Sequence, residues 1–210
     1  MKQFFTVVPA DAGWINVDLD NTEMDFLWKS IENRGKDMKP ELAGNIDSSY
    51  KIFDKDNWFY NNTLIELCEI YSQKFKNVGD KLPTQNKHPY YLDTMWVNYQ
   101  KQTEFNPVHD HKGVYSFVIW MKIPTEYNEQ KENPIAKNTN SSGISNFCFN
   151  YTNIIGENEF YYYEMSKKME GKMVFFPSKL THIVYPFYNC CDHRISISGN
   201  ICLDTTRIYE

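Results

Sequence analysis

Five histidines occur in 210 residues, and three of them fall where they could share one metal ion. His109 and His111 stand two apart at the head of a β-like run, so strand alternation directs both imidazoles to one face. His182 follows the Gly171–Pro177 stretch about seventy residues later, placed to rise on a facing strand. Neutral imidazoles gathered on one side of a first-row metal leave its other side open for ligands. Arg194 and Ser196 come next, on one face of the last strand together with Ser198 and Asn200. A buried guanidinium needs an anion, and its planar fork matches a carboxylate. A serine hydroxyl two residues on can donate to the same group. The set suits a non-haem iron centre that takes a carboxylate-bearing co-substrate. Tyr99, ten residues before His109, is a candidate phenolic donor to that co-substrate. His88 sits before Pro89 in a turn-like stretch, and alternation turns His193 away from the face of Arg194.

Positioning these side chains falls to a β-rich second half. Tyr91–Gln100, Tyr115–Ile123, Lys172–Phe176, His182–Pro186 and Arg194–Cys202 read as strands. Ser145–Tyr151 and Glu159–Glu164 read as a hairpin about Ile155-Gly156-Glu157. Upstream, Gln3–Val8 looks like a strand ended by Pro9. Thr22-x-x-Asp25 resembles a capping box for a helix through Met24, Leu27 and Ile31, with Gly35 as its stop. Tyr60, Leu64, Leu67, Tyr71, Phe75 and Val78 recur at the spacing of an amphipathic helix of about five turns. That stripe is a packing face. Residues 36–57 show little periodicity, and residues 125–144 are polar and turn-rich, a loop and candidate lid. Helices followed by seven or so short strands predict a mainly β, α+β fold, with helices packed against a β-sandwich or jelly roll. The expected organisation is one domain over 1–210, with helical support in 1–89 and the β core in 90–204.

Composition narrows the partners. Charged residues are 23% and apolar residues 41%, as in ordinary globular proteins, while 16% aromatic content suits pleated, half-buried surfaces. A net charge of −5 without a Lys/Arg cluster argues against a nucleic-acid partner. No apolar run approaches membrane length, and the apolar part of the N-terminus is too short for a signal peptide. The five cysteines show no paired spacing, so reduced thiols in a cytoplasmic setting are expected.

The motif strings resemble one superfamily. His109-x-His111, a distal His182 and Arg194-x-Ser196 are similar to the signature of the Fe(II)- and 2-oxoglutarate-dependent dioxygenases. Trp96-Val-Asn-Tyr99, Glu104-Phe-Asn-Pro-Val-His109, Ser116 to Pro124, Gly171 to His182 and Arg194 to Asn200 look like a phage-type branch of it. So does the earlier stretch Leu42 to Tyr50. The resemblance implies a double-stranded β-helix, the cupin-like jelly roll, over about residues 90–204. It also implies Fe(II) on His109, His111 and His182, and 2-oxoglutarate held by Arg194, Ser196 and Tyr99. With O2, such an enzyme hydroxylates a substrate and releases succinate and CO2. A prolyl-hydroxylase-like member would act on a peptide, a protein or a small molecule, in the host cytoplasm if phage-encoded.

One position departs from the superfamily pattern. His111 occupies the usual carboxylate position, and Asp110 lies between the two histidines. Three arrangements stay open: a three-histidine site, a bulge that turns Asp110 inward in place of one histidine, or a degenerate site that only binds. Two other functions compete. A cupin-type three-histidine dioxygenase would need no 2-oxoglutarate, but a cupin usually carries a Glu shortly after His-x-His, where this chain has Tyr115 and Ser116. A non-catalytic jelly-roll interaction module would need no metal.

Overall fold

The computed structural model describes residues 13–75, 82 and 84–208. Among these residues, ten strands form two antiparallel sheets: β1 (Ile15–Asp18), β2 (Ser48–Ile52), β3 (Tyr90–Gln100), β4 (Asn106–His109), β5 (Tyr115–Lys122), β6 (Phe147–Thr152), β7 (Asn158–Tyr163), β8 (Lys172–Pro177), β9 (His182–Val184) and β10 (Arg194–Leu203). The larger sheet runs β1-β8-β5-β10-β3-β2 and the smaller β4-β9-β6-β7. This is the double-stranded β-helix, or jelly roll.

Period-two alternation gives each face of the larger sheet its own job. Met95 and Val97 on β3, Phe117 and Ile119 on β5, and Ile197 and Ile201 on β10 point to one side. There they pack against Leu27 and Ile31 of α1 (Asn21–Glu32) and Leu67 and Tyr71 of α2 (Ile65–Lys74). On the other side, Val118, Trp120, Val174 and Phe176 meet Phe147 and Phe149 of the smaller sheet. Towards β10, β3 and β2 that inner face turns polar. Asn98 accepts from the Ser49 hydroxyl at 2.7 Å and Asn200 from the Ser116 hydroxyl at 2.8 Å. A polar strip inside a jelly roll marks the place where a ligand, and not a core, is accommodated.

Several local expectations are corrected. The capping box of α1 is Asp20 with Glu23, not Thr22 with Asp25: Asp20 Oδ1 accepts from the Glu23 N–H at 2.9 Å, and the Glu23 carboxylate accepts from the Asp20 N–H at 2.8 Å. Asp20 wins because only it has a glutamate three residues on to complete the reciprocal pair. The second helix opens with a π-helical turn, Tyr60–Leu64, after the Asp54 carboxylate has accepted from the Phe59 and Tyr60 N–H groups at 2.8 Å each. That helix ends at Lys74, and Phe75, which the expected stripe included, is already extended at φ −119° and ψ 153°. Val78 and the Gln3–Val8 strand lie outside the described residues. The N-terminal part is more than helical support, since β1 and β2 form the two edges of the larger sheet. Within 125–144 the chain forms a short helix, α3 (Tyr127–Lys131). Its buried Gln130 side chain donates to Tyr188 O at 2.9 Å and accepts from Tyr188 N–H at 2.8 Å, which ties the segment to the body.

Gly199 on β10 leaves no room for a side chain. A β-carbon there would lie 2.5 Å from Phe117 Cζ and 2.9 Å from the Thr94 carbonyl oxygen. Gly199→Ala is therefore expected to destabilise the fold by about 1–3 kcal/mol through overpacking. Urea unfolding measures this, and an unchanged midpoint would show that Phe117 yields freely.

Candidate active site

His109 ends β4 and pairs directly with His182, which begins β9. A register shift between Asn106 and His109 inserts an extra residue on β4, so the bulge at Pro107–Val108 sets the two imidazoles opposite each other. His111 lies beyond the strand, in the turn to β5, and its N–H donates to Ser178 O at 2.8 Å. The three side chains bring one ring nitrogen each within 4.8 Å of one another. The histidines do not converge by alternation along one strand, as the spacing suggested. A strand end, a turn and a facing strand bring them together.

Hydrogen bonds decide which nitrogens are free. His109 Nδ1 lies 2.7 Å from Pro107 O and His182 Nδ1 lies 3.1 Å from Leu180 O. A carbonyl can only accept, so both Nδ1 atoms carry the proton and both Nε2 lone pairs point inward. Burial lowers the pKa of all three rings. It holds His109 below the usual histidine range, drives His182 well below it, and takes His111 to about 4 with help from the nearby His109. The imidazoles are therefore neutral at pH 7, as metal ligation requires. His111 Nε2 lies 3.1 Å from His182 Nε2, close to the roughly 3 Å that separates neighbouring ligands on one ion at bonds of about 2.1 Å. Three neutral, convergent donors thus fit a divalent first-row metal.

Asp110 is not part of this cluster. It is exposed, and its carboxylate faces Lys179 Nζ at 3.4 Å. The bulge falls before His109 and leaves Asp110 pointing out.

The cluster opens into a cavity of about 540 Å³ between the sheets, which Arg194, Ser196, Ser198 and Asn98 also line. Arg194, the first residue of β10, is 2% exposed. Its Nη2 donates to Ser145 O and Ser145 Oγ at 2.7 Å each, Nη1 lies 3.5 Å from Gln100 Oε1, and Nε has no partner. The Phe187 ring lies 5.0 Å below the guanidinium carbon. No carboxylate pairs with it among the described residues. Burial alone pulls its pKa down to about 9, which still leaves a full positive charge at pH 7. A buried cation facing a cavity without an anion fits a carboxylate ligand.

Tyr99 does not reach this cavity, which corrects the expectation. Its ring packs on the opposite face of β3, 6.2 Å from Tyr50, 6.1 Å from His193 and 5.7 Å from the Arg34 guanidinium. Its neighbours Asn98 and Gln100 face inward instead. Gln100 is opposite Arg194 in the strand register; alternation puts it on the face away from Tyr99, and the pairing of β3 with β10 sets it beside the arginine. Sequence reasoning also missed the Met38–Ile46 segment, whose residues line the cavity mouth and show no periodicity. Tyr99→Phe is expected to leave 2-oxoglutarate affinity unchanged by calorimetry. An order-of-magnitude loss would return the phenol to the site.

The model for the family described as "Putative 2OG-Fe(II) oxygenase" matches residues 94–200, just over half of the chain. The chain belongs to this family of 2-oxoglutarate- and Fe(II)-dependent oxygenases. Among solved structures, it is similar to OsALKBH1 at 10% identity, covering 92% of this chain and 98% of that chain with a TM-score of 0.50. The viral collagen prolyl hydroxylase of Paramecium Bursaria Chlorella virus-1 gives 12% identity, 90% and 94% coverage and a TM-score of 0.49. A prolyl-4-hydroxylase from Pseudomonas putida gives 11% identity, 90% and 91% coverage and 0.49. At these identities the likeness is one of fold alone. No curated protein matches the chain. The family uses Fe(II) and 2-oxoglutarate, and the three-histidine set here differs from the usual His-x-Asp and distal His. Among the described residues no helix is long and apolar enough to cross a membrane.

Proposed function

We propose that this oxygenase holds Fe(II) on His109, His111 and His182, binds 2-oxoglutarate against Arg194 and Ser196, and hydroxylates a peptide, protein or small molecule. One observation carries the reading: three neutral imidazoles converge in the same cavity as a buried arginine that lacks an anion. The phage-type branch and a cytoplasmic setting belong to the same proposal.

When bound, metal and co-substrate supply the oxidising chemistry, in which 2-oxoglutarate, O2 and a C–H bond of the substrate give succinate, CO2 and the hydroxylated product. The chain contributes placement and exclusion of water. The carbonyls of Pro107 and Leu180 hold the His109 and His182 tautomers, so that neither ring has to rotate or lose a proton before ligation. Arg194 supplies fixed positive charge for the distal carboxylate, and Ser196 shares that cavity. Phe147, Phe149 and Phe176 pack against the His182 ring, at centroid distances of 5.3, 6.1 and 5.2 Å, and keep that side of the site dry.

A cupin-type three-histidine dioxygenase accounts for the histidines but gives Arg194 no task. Anaerobic titration of the Fe(II)-loaded protein with 2-oxoglutarate separates the two. The visible charge-transfer band of the chelate is expected to grow in and saturate. Iron binding without the band would favour the cupin-type reading, and no iron binding would leave an interaction module.

A further inference from the structure

Ser145 is completely buried and stands at φ 63°, in the left-handed region that residues with a β-carbon seldom adopt. The corner around it is fully tied. Its N–H donates to Pro186 O at 2.9 Å. The next residue, Asn146, donates through Nδ2 to Ser142 O at 2.7 Å, and its side-chain oxygen accepts from Met165 N–H at 3.1 Å. Its carbonyl accepts from Tyr185 N–H at 2.9 Å.

Held this way, Ser145 turns two oxygens toward one atom. Arg194 Nη2 donates to both, to Ser145 O and to Ser145 Oγ at 2.7 Å each. With Phe187 against its face and Gln100 beside Nη1, the guanidinium is fixed in tilt and in roll, and Nε–H remains as a buried donor without a partner. Glycine would occupy this backbone conformation with less strain. What serine adds is the hydroxyl.

We propose that Ser145 is a positioning residue for the co-substrate, locking the Arg194 guanidinium so that an N–H it leaves unused meets the distal carboxylate. The inference rests on Arg194 being the partner of that carboxylate. Ser145 acts through Arg194 and lies behind it. Removing the hydroxyl takes one acceptor from Nη2 and lets the guanidinium roll, so the ordering must then be supplied on binding.

The test compares Ser145→Gly with wild type and with Asn138→Gly, an exposed residue at φ 64° in the polar 125–144 segment. Three quantities are read: melting temperature, Fe(II) affinity, and the Kd for 2-oxoglutarate of the anaerobic Fe(II) protein by calorimetry. Ser145→Gly is expected to bind Fe(II) unchanged and to bind 2-oxoglutarate about tenfold more weakly, because the loosened guanidinium must be ordered on binding. Its melting temperature stays within a few degrees of wild type, as relief of backbone strain offsets the lost hydrogen bond. Asn138→Gly should leave the Kd unchanged. Ser145→Ala provides a second variant, with the same loss of affinity and a lower melting temperature, because alanine keeps the backbone strain. Wild-type Kd in Ser145→Gly overturns the proposal, and so does a joint fall in melting temperature, iron affinity and co-substrate affinity. If wild type itself binds Fe(II) but no 2-oxoglutarate, the reading of Arg194 falls first and this inference with it.

Discussion

His182→Ala is expected to reduce Fe(II) affinity by more than about 100-fold, while Asp110→Asn leaves it unchanged. Groups that merely orient a ligand already cost 10–100-fold when removed, so loss of a ligand itself must exceed that. The contrast between the two variants is the informative part. In the usual family pattern a carboxylate two residues after the first histidine completes the site, and a reader of the sequence would look to Asp110 as the nearest one. Here Asp110 is turned out toward Lys179, and His111 occupies the inward position. On the proposed ligand set the site carries one negative charge fewer than a two-histidine, one-carboxylate set, and its hold on a cation would depend on all three neutral nitrogens. Iron content after dialysis, together with the rise in melting temperature on adding Fe(II), measures both variants. Loss of iron in Asp110→Asn would show that the turn after β4 rearranges to bring the carboxylate in.

Arg194→Met should abolish 2-oxoglutarate binding without unfolding the protein. Removing one partner of a buried ion pair costs about 3–5 kcal/mol, which corresponds to two to four orders of magnitude in Kd. The free protein responds differently, because its Arg194 is buried without an anion. Methionine of similar volume removes that desolvation cost, and against it stands the loss of a donor to Ser145 and Gln100, at about 1–3 kcal/mol for buried groups left unsatisfied. The two effects offset, and stability without ligand should change by no more than about 2 kcal/mol. A ligand at a hundred times its Kd stabilises its protein by about 2.7 kcal/mol. Wild type should therefore show a clear thermal shift with 2-oxoglutarate where Arg194→Met shows none. An equal shift in both would remove Arg194 from the co-substrate site.

Much of the fold, and the candidate site residues, were legible because their signals are local. The strands from β3 to β10 follow from short runs of aromatic and β-branched residues bounded by Pro and Gly, and those of the larger sheet are covered on both faces, by the helices on one side and the smaller sheet on the other. The strings His109-x-His111, His182 and Arg194-x-Ser196 needed only their spacing to suggest a shared site. What spacing could not supply was direction. Tyr99 and Gln100 differ by one residue and face opposite sides of β3, a choice fixed by which face meets the helices. Asp110 and His111 differ in the same way, and there a bulge two residues earlier and the pairing of β4 with β9 made the choice. The strands β1 and β2 left little trace, since each is short and becomes an edge only when the rest of the sheet presents it with a partner. Ser145 left none, because a left-handed serine has no periodicity and gains its meaning only from the arginine folded against it. By itself, then, the sequence determined the element types and the inventory of chemical groups, through propensity, alternation and spacing. Only the tertiary structure decided which of those groups face one another, because register and burial belong to pairs of segments far apart in the chain.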